Sequence, residues 1–367
     1  MYKQAVKAFF LAILLLCTHW AFAQKYSNEF LSIGVGARAQ GMAGAQIANV
    51  SDVTASFWNP AGLTNMEYPV QIGAMHAEWF AGIAKYDFLS FAKSLNSLKN
   101  SAFGLSIIRL GIDQIPNTLN LVGPDGSINY DQVTEFSAAD YAVLLSYAQD
   151  VKIKGKTLSV GGSTKIIRRV IGSFGNSWGF GLDFGVQYKT EKWNFAFVGR
   201  DITTTYNAWS FDLSENEKEV FVSTGNEIPE SSVEITRPRI ILGAARKAKL
   251  GEKLGLLAEL NLDFTTDGQR NVLISSESIN IDPRLGVELD YNQFLFLRLG
   301  MGNFQEVLDD FDPNQSYLTF QPNFGVGIDL GRLRVDYALT DIGNVSEVLY
   351  SHIFSLTLDF KKQEKYY

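Results

Sequence analysis

Between Leu254 and Asp263 every second residue is apolar: Leu254, Leu256, Ala258, Leu260 and Leu262 alternate with Gly255, Leu257, Glu259, Asn261 and Asp263. A side-chain period of two belongs to an extended strand with two unlike faces. The pattern returns in Leu285, Val287, Leu289 and Tyr291 against Gly286, Glu288 and Asp290, and again in Leu295–Met301 and Leu333–Leu339. It is also present earlier, in Tyr141–Tyr147 and Phe180–Tyr188. Counted this way, fourteen strands are predicted near 70–77, 84–93, 101–110, 139–149, 157–168, 178–189, 193–201, 236–247, 253–264, 283–291, 294–303, 317–329, 332–339 and 351–360. Most run about 8–12 residues, which suits tilted strands crossing a hydrocarbon layer better than the shorter strands of a soluble sandwich.

The links between these segments are sorted by parity. Ser94–Asn100, Asp150–Lys156, Thr190–Lys192, Ala248–Glu252, Asn292–Gln293 and Leu330–Gly331 are short. The intervening links are mostly long: Gly111–Ala138, Arg169–Ser177, Ile202–Thr236, Thr265–Asp282, Phe304–Ser316 and Thr340–Tyr350, with only Glu78–Ile83 brief. Short periplasmic turns and long outer loops are the mark of an outer-membrane barrel, whereas a sandwich has no reason to sort its loops. The expectation is an all-β fold: a closed, transmembrane, antiparallel β-barrel of 14 strands over residues 70–360, with both chain ends on the periplasmic side. Closure between the last strand and the first removes two edges that would otherwise template aggregation.

Composition agrees. Only 19% of residues are charged while 13% are aromatic, against about a quarter charged in soluble proteins. Lys3 and Lys7 precede the apolar run Phe9–Cys17, and Ala21-Phe22-Ala23 supplies small residues before Gln24, so residues 1–23 read as a secretory signal peptide. The lone cysteine leaves with it, which excludes disulfides, thiolate metal sites and cysteine nucleophiles. Loss of Lys3 and Lys7 takes the formal charge from −7 to −9, which argues against nucleic acid as a partner. The partner implied by the barrel is outer-membrane lipid, and the location is the outer membrane of a Gram-negative bacterium.

One stretch departs from the alternation. Gly36–Leu63 is rich in small residues, carries the single cation Arg38, and ends in a Trp58-Asn59-Pro60-Ala61-Gly62 corner that continues neither helix nor strand. We read residues 24–69 as a plug folded up into the lumen, with Arg38, Trp58, Asn59 and Pro60 as its contact residues. A buried lone guanidinium requires a partner, so Arg38 is expected to meet an inward carboxylate. The candidates belong to the inward set Asp183, Arg200, Glu259, Asp263, Glu288, Asp290, Arg298, Asp329, Arg334, Asp336 and Asp359. Residues 361–367 are expected to form a periplasmic tail.

Chemistry is sparse. His76 and His352 fall on the first and last strands without a surrounding ligand cluster, and interfacial or lumen-lining roles fit them better than a metal. Gly179, Gly181 and Gly185 sit inside an alternating strand with no following helix, so curvature or close packing against a plug explains them better than a nucleotide fingerprint. Asp309, Asp310 and Asp312 lack the glycine and distal glutamate of a calcium loop. No catalytic residue, metal site or cofactor is predicted, and the chain is not expected to be an enzyme. The link Ile202–Thr236 is the longest and among the most acidic, yet contains Trp209, Phe211, Val220 and Phe221. An apolar patch rimmed by charge is a common protein-binding surface, and folding back onto the interfacial girdle is the alternative.

GARAQGMAGAQIANVSDVTASFWNPAGL, together with Asp336-Tyr337-Ala338 and His352-Ile353-Phe354-Ser355-Leu356, resembles the PorV/PorQ family of Bacteroidota. That family lies within a larger group of long-chain fatty-acid-transporter-like barrels that share the Asn59-Pro60-Ala61-Gly62-Leu63 motif. The resemblance implies a fourteen-stranded barrel with a lumen segment and a part in type IX secretion. Its implied partners are translocon or attachment proteins and the signal domains of secreted cargo, and no residue separates a PorV-like from a PorQ-like role. The alternatives are a transporter-like channel for passive uptake of hydrophobic small molecules and a purely structural barrel. A wide apolar pocket beside the plug favours transport; a polar, filled lumen with an apolar patch on the loops favours secretion, and the mixed inward charges lean that way.

Overall fold

A computed structural model describes residues 27–79, 82–95, 100–122, 127–309, 312, 315–340 and 351–360. The expected signal peptide and C-terminal tail lie outside the described residues. Fourteen strands form the wall: β1 (Val70–Trp79), β2 (Ala84–Ser94), β3 (Ser101–Asn117), β4 (Thr134–Ile153), β5 (Lys156–Ile171), β6 (Gly175–Lys189) and β7 (Trp193–Arg200), then β10 (Arg239–Leu250), β11 (Leu254–Thr265), β12 (Asn280–Tyr291), β13 (Leu295–Leu308), β14 (Ser316–Asp329), β15 (Leu333–Thr340) and β16 (Ser351–Phe360). Each pairs antiparallel with its neighbours, and β1 closes on β16 from Val70↔Phe360 to Glu78↔His352. The expected strand positions hold with corrected ends. β3 and β4 reach further out than expected, and β5 and β6 leave only Gly172–Phe174 between them, so that outer link is tight rather than long.

The short links sit at one end. Lys154 and Gly155 both have positive φ, 48° and 77°, as a two-residue hairpin turn of type I′ demands. Outward positions carry the apolar band: Leu89, Ile107, Leu145, Phe180, Leu242, Leu297 and Phe324 are all substantially exposed. On β6 the band runs from Trp178 to Tyr188, ten residues apart, and ten residues of tilted strand climb about 25 Å, the height of a membrane band between aromatic girdles. Inward positions are buried and mix polar and small residues with apolar ones such as Tyr86, Ile108, Leu144 and Ile167.

The link from 202 to 236 is not an irregular loop. It contains β8 (Thr205–Phe211), a helix (Glu215–Ser223) begun by a Ser214–Glu217 capping box, and β9 (Val233–Thr236). β7 pairs with the inner half of β6 and β8 with its outer half, so the two succeed one another along the same neighbour. The break falls at Asp201–Thr204, where Asp201 and Thr204 take φ of 54° and 59°. β9 pairs with β8, and Arg237-Pro238 separates it from β10. The sequence pattern missed this because the inward face of β8, Thr205, Asn207 and Trp209, is neither plainly polar nor plainly apolar.

The core is the plug itself. Val35, Ala37, Ala39, Met42, Ala45, Ile47, Ala48, Val50, Val53 and Ala55 are fully buried or nearly so inside the barrel. The wall meets this segment with glycines. A methyl group placed on Gly161 would stand 2.6 Å from the backbone nitrogen of Ala61, and one on Gly286 would stand 2.7 Å from Cβ of Met42. Gly73, Gly104, Gly185, Gly243 and Gly300 are likewise pressed against Val53, Ser56, Asn59, Ile47 and Ala43, and Gly41 of the plug lies against Gly325. Gly185 thus packs on the plug as expected, whereas Gly179 and Gly181 pack on Asn207 and Thr205 of β8.

Candidate functional site

The plug traverses the lumen. At its outer end Ser27 and Asn28 are tied to β8 and β9: Asn207 Nδ2 donates to Ser27 Oγ at 2.9 Å and Asn28 Nδ2 to Thr236 Oγ1 at 2.9 Å. At its inner end Tyr68 donates its hydroxyl to the Gly331 carbonyl at 3.0 Å, on a short turn. In between, a short helical turn (Ala37–Gly41) carries Arg38 into the wall.

Arg38 grips Glu288 of β12 with both arms of its guanidinium, Nε to Oε2 at 2.8 Å and the second nitrogen to Oε1 at 2.9 Å. Arg298 of β13 donates to the same carboxylate at 2.6 Å and to Asp336 of β15 at 2.7 Å. The four charges sum to zero, and each cation keeps a carboxylate, the condition under which charges tolerate burial. Burial works to lower the Arg38 pKa, and the facing Glu288 outweighs it, so the guanidinium is held above its ordinary value.

The Trp58-Asn59-Pro60 corner lies in the lumen as well. Trp58 Nε1 donates to the Val35 carbonyl at 2.8 Å, which folds the segment on itself. Asn59 accepts from Ala61 N at 3.1 Å and donates to the carbonyls of Ile47 (3.0 Å) and, on β6, Val186 (3.2 Å). Pro60 opens a 3-10 turn (Pro60–Asn65), where its missing N–H costs nothing. Arg200 covers Phe57 and Trp58, its guanidinium carbon 4.6 Å and 5.6 Å from the ring centres. A second buried ionic knot fixes the break in the wall. Lys165 bridges Asp183 (2.9 Å) and Asp201 (2.6 Å), and Asp201 also takes the Thr205 hydroxyl.

Two sizeable cavities lie among the described residues. The inner vestibule, about 1260 Å³, opens among the short turns and is rich in lysine and arginine, including Lys192, Lys247, Lys249 and Lys253. The outer vestibule, about 530 Å³, is walled by β11–β14, the 265–280 segment and the plug, with Ile33, Trp58 and Trp79 on its apolar side. Its ionic pairs include Arg239–Asp263 (3.3 Å), Arg284–Asp282 (3.4 Å), Arg284–Asp263 (3.8 Å) and Arg270–Glu29 (3.7 Å).

The remaining sequence-selected residues are dispersed. Trp209 is buried on β8, with the Arg169 guanidinium carbon 5.1 Å from its ring centre and Phe211 stacked at 5.7 Å. Val220 and Phe221 are half-buried on the outer helix. The four therefore form no single exposed patch, because pairing of β8 with β6 draws Trp209 into the wall. His76 and His352 face outward, His76 against Asp87 (2.7 Å) and His352 against the Tyr337 hydroxyl (2.7 Å). Among the described residues no group of three or more His, Cys, Asp or Glu is placed to hold a metal.

No protein-family model matches the chain, and no curated protein sequence matches it. Solved structures do. The chain is similar to the CymD monoaromatic hydrocarbon channel (14% identity, TM-score 0.53, covering 93% of this chain and 100% of that one). It is similar to the toluene transporter TbuX of Ralstonia pickettii (13%, 0.50, 89% and 99%) and to a FadL homologue of Pseudomonas aeruginosa (14%, 0.53, 89% and 98%). These neighbours overturn the type IX reading, and the translocon, attachment and cargo-domain partners fall with it. The reason is physical: the Gly36–Ala45 stretch that favoured it is built of small residues because the plug packs closely on the wall, as Gly41 does on Gly325, and close packing carries no information about cargo. What the chain shares with these proteins is the fold, the closed fourteen-stranded barrel of the Gram-negative outer membrane.

Proposed function

We propose that the chain is a passive, transporter-like channel of the outer membrane, in which the N-terminal plug controls the passage of small, partly apolar molecules between the two vestibules. The observation that carries this reading is the pair of cavities on either side of one polar clamp, Arg38–Glu288–Arg298–Asp336. The outer cavity falls within the ordinary size of a small-molecule pocket, about 300–1,000 Å³, and combines an apolar side with convergent polar groups. The structural neighbours include a hydrocarbon channel and a toluene transporter, which supports transport over secretion. The lumen is nevertheless polar and filled, so passage requires local movement of the plug around the clamp.

The test is entry of radiolabelled probes into cells of a porin-deficient Gram-negative host expressing the full chain. Toluene, octanoate and phenyl β-glucoside cover apolar, anionic and neutral hydroxylated cargo. Faster entry of at least one probe than in cells with empty vector is expected. Entry unchanged for all three, with the barrel correctly assembled, overturns the channel reading.

A further inference from the structure

The outer vestibule is unlike a hydrocarbon pocket. Eight of its lining side chains are amides, four Asn and four Gln, and its cations Arg239, Arg270 and Arg284 are balanced by Glu29, Asp263 and Asp282. On the β13–β14 side the amides form a loose chain: Gln305 donates to Asn303 at 2.9 Å, and Asn303 to Gln321 at 3.4 Å. Each amide offers two donors and two acceptor lone pairs, so Gln305, Asn303 and Gln321 keep capacity beyond these two bonds, whereas Asn280 and Asn271 are already held by neighbouring groups. The buried polar atoms without a partner among the described residues include Trp79 Nε1, Asp263 Oδ1 and Asp282 Oδ1, all on residues that line the cavity. The first is a donor in want of an acceptor; the other two are acceptors in want of donors.

We propose, building on the channel reading, that the ligand of this vestibule is a small neutral molecule bearing hydroxyl groups on an apolar frame, an aryl glycoside by class. A hydroxyl both donates and accepts, and therefore pairs with the open amides of Gln305, Asn303 and Gln321 in either sense, and with the tryptophan N–H and the carboxylate oxygens once those buried atoms turn toward the cavity. A bare hydrocarbon satisfies none of them and would desolvate the amides without return, at roughly 1–3 kcal/mol per buried group. A carboxylate ligand accepts but cannot donate, and it would face Asp263 and Asp282. With three charges of each sign, the lining has no net field to select an ion. The aryl frame has its counterpart in Ile33, Trp58 and Trp79, the large apolar side chains of the lining.

The experiment is calorimetric titration of the full chain in lipid nanodiscs with phenyl β-glucoside, toluene and octanoate. Saturable binding of the glucoside is expected, tighter than that of either other probe. Trp79→Phe keeps the ring and removes the donor, and should weaken glucoside binding by up to about tenfold, the value of one neutral hydrogen bond. Gln321→Leu, on β14 and outside the ion pairs, should weaken it similarly, and this change should not weaken toluene. Toluene or octanoate binding more tightly than the glucoside overturns the ligand class while leaving the channel reading standing. Glucoside binding that both variants leave unchanged overturns the assignment of the site. Failure of the channel reading is distinguishable, because it shows as unchanged entry of every probe into cells, whatever binds in the nanodisc.

Discussion

Removing Glu288 should unlock the plug more completely than removing Arg38, although the two form one pair. Glu288 accepts from Arg38 at 2.8 and 2.9 Å and from Arg298 at 2.6 Å. In Glu288→Ala, two buried guanidiniums are left to Asp336 alone, and Arg38 has no described ion-pair partner besides Glu288. Breaking a buried pair so as to orphan a charge costs about 3–5 kcal/mol. At 1.4 kcal/mol per tenfold, the seated plug should lose roughly two to three and a half orders of magnitude in its equilibrium against displaced forms. In Arg38→Met the carboxylate keeps Arg298, no charge is orphaned, and only charge-assisted hydrogen bonds are lost, about 1.5–3 kcal/mol or one to two orders. Single-channel recording in planar bilayers measures this as open probability, and heat-modifiable migration of the unboiled protein checks that the barrel is intact. Because the clamp is buried, raising the salt should change the difference little. Wild-type conductance in both variants, or a larger effect from Arg38→Met, would refute the reasoning and assign the seat to packing alone.

Gly161→Val should displace the Pro60–Ala61 corner, since a methyl there already falls 2.6 Å from a backbone atom; overpacking of this kind costs about 1–3 kcal/mol and should appear as faster proteolysis of the plug with the wall intact. Lys165→Met leaves Asp183 and Asp201 adjacent and uncompensated, so the temperature at which the barrel unfolds in detergent should fall, and Asp201→Asn in the same chain should recover part of the loss. Ile107→Lys, within the outward apolar band, should cost about 2–4 kcal/mol in lipid, whereas Arg109→Ala on the same strand should cost far less; equal losses would misplace the membrane boundary.

Much of the wall was legible because alternation is a local signal: a lipid-facing residue at every second position writes itself into each strand. The partner of Arg38 was legible as a class, since a lone cation among alanines and glycines needs a carboxylate, but its identity was not, because Glu288, Arg298 and Asp336 become neighbours only through β12–β15 pairing. The break between β7 and β8 was hidden for a related reason. Thr205–Phe211 pairs on β6 with Asn207 and Trp209 turned inward, so its inner face is neither plainly polar nor plainly apolar. The amides of the outer vestibule were invisible, being scattered from Gln40 to Asn323 among ordinary lumen polarity. The type IX expectation failed on a small-residue stretch that specifies close packing against the wall rather than a cargo.

The glycines that face the plug carry a consequence for the life of the molecule. Glycine weakens a strand by about 0.5–1 kcal/mol relative to alanine, and here it recurs on β1, β3, β5, β6, β10, β12, β13 and β14 at the places where the plug presses closest. A hollow version of this wall would keep every one of those penalties and lose the contacts that offset them. The cylinder is therefore cast around its contents, as concrete is poured around a post. Threading the segment through a finished ring would have to part the close contacts from β1 through β14, so residues 27–69 are expected to be gathered in before the β1–β16 seam shuts. On the channel reading, passage goes by local movement of the plug around its clamp, because wholesale ejection would strip the wall of the contacts that offset its glycines.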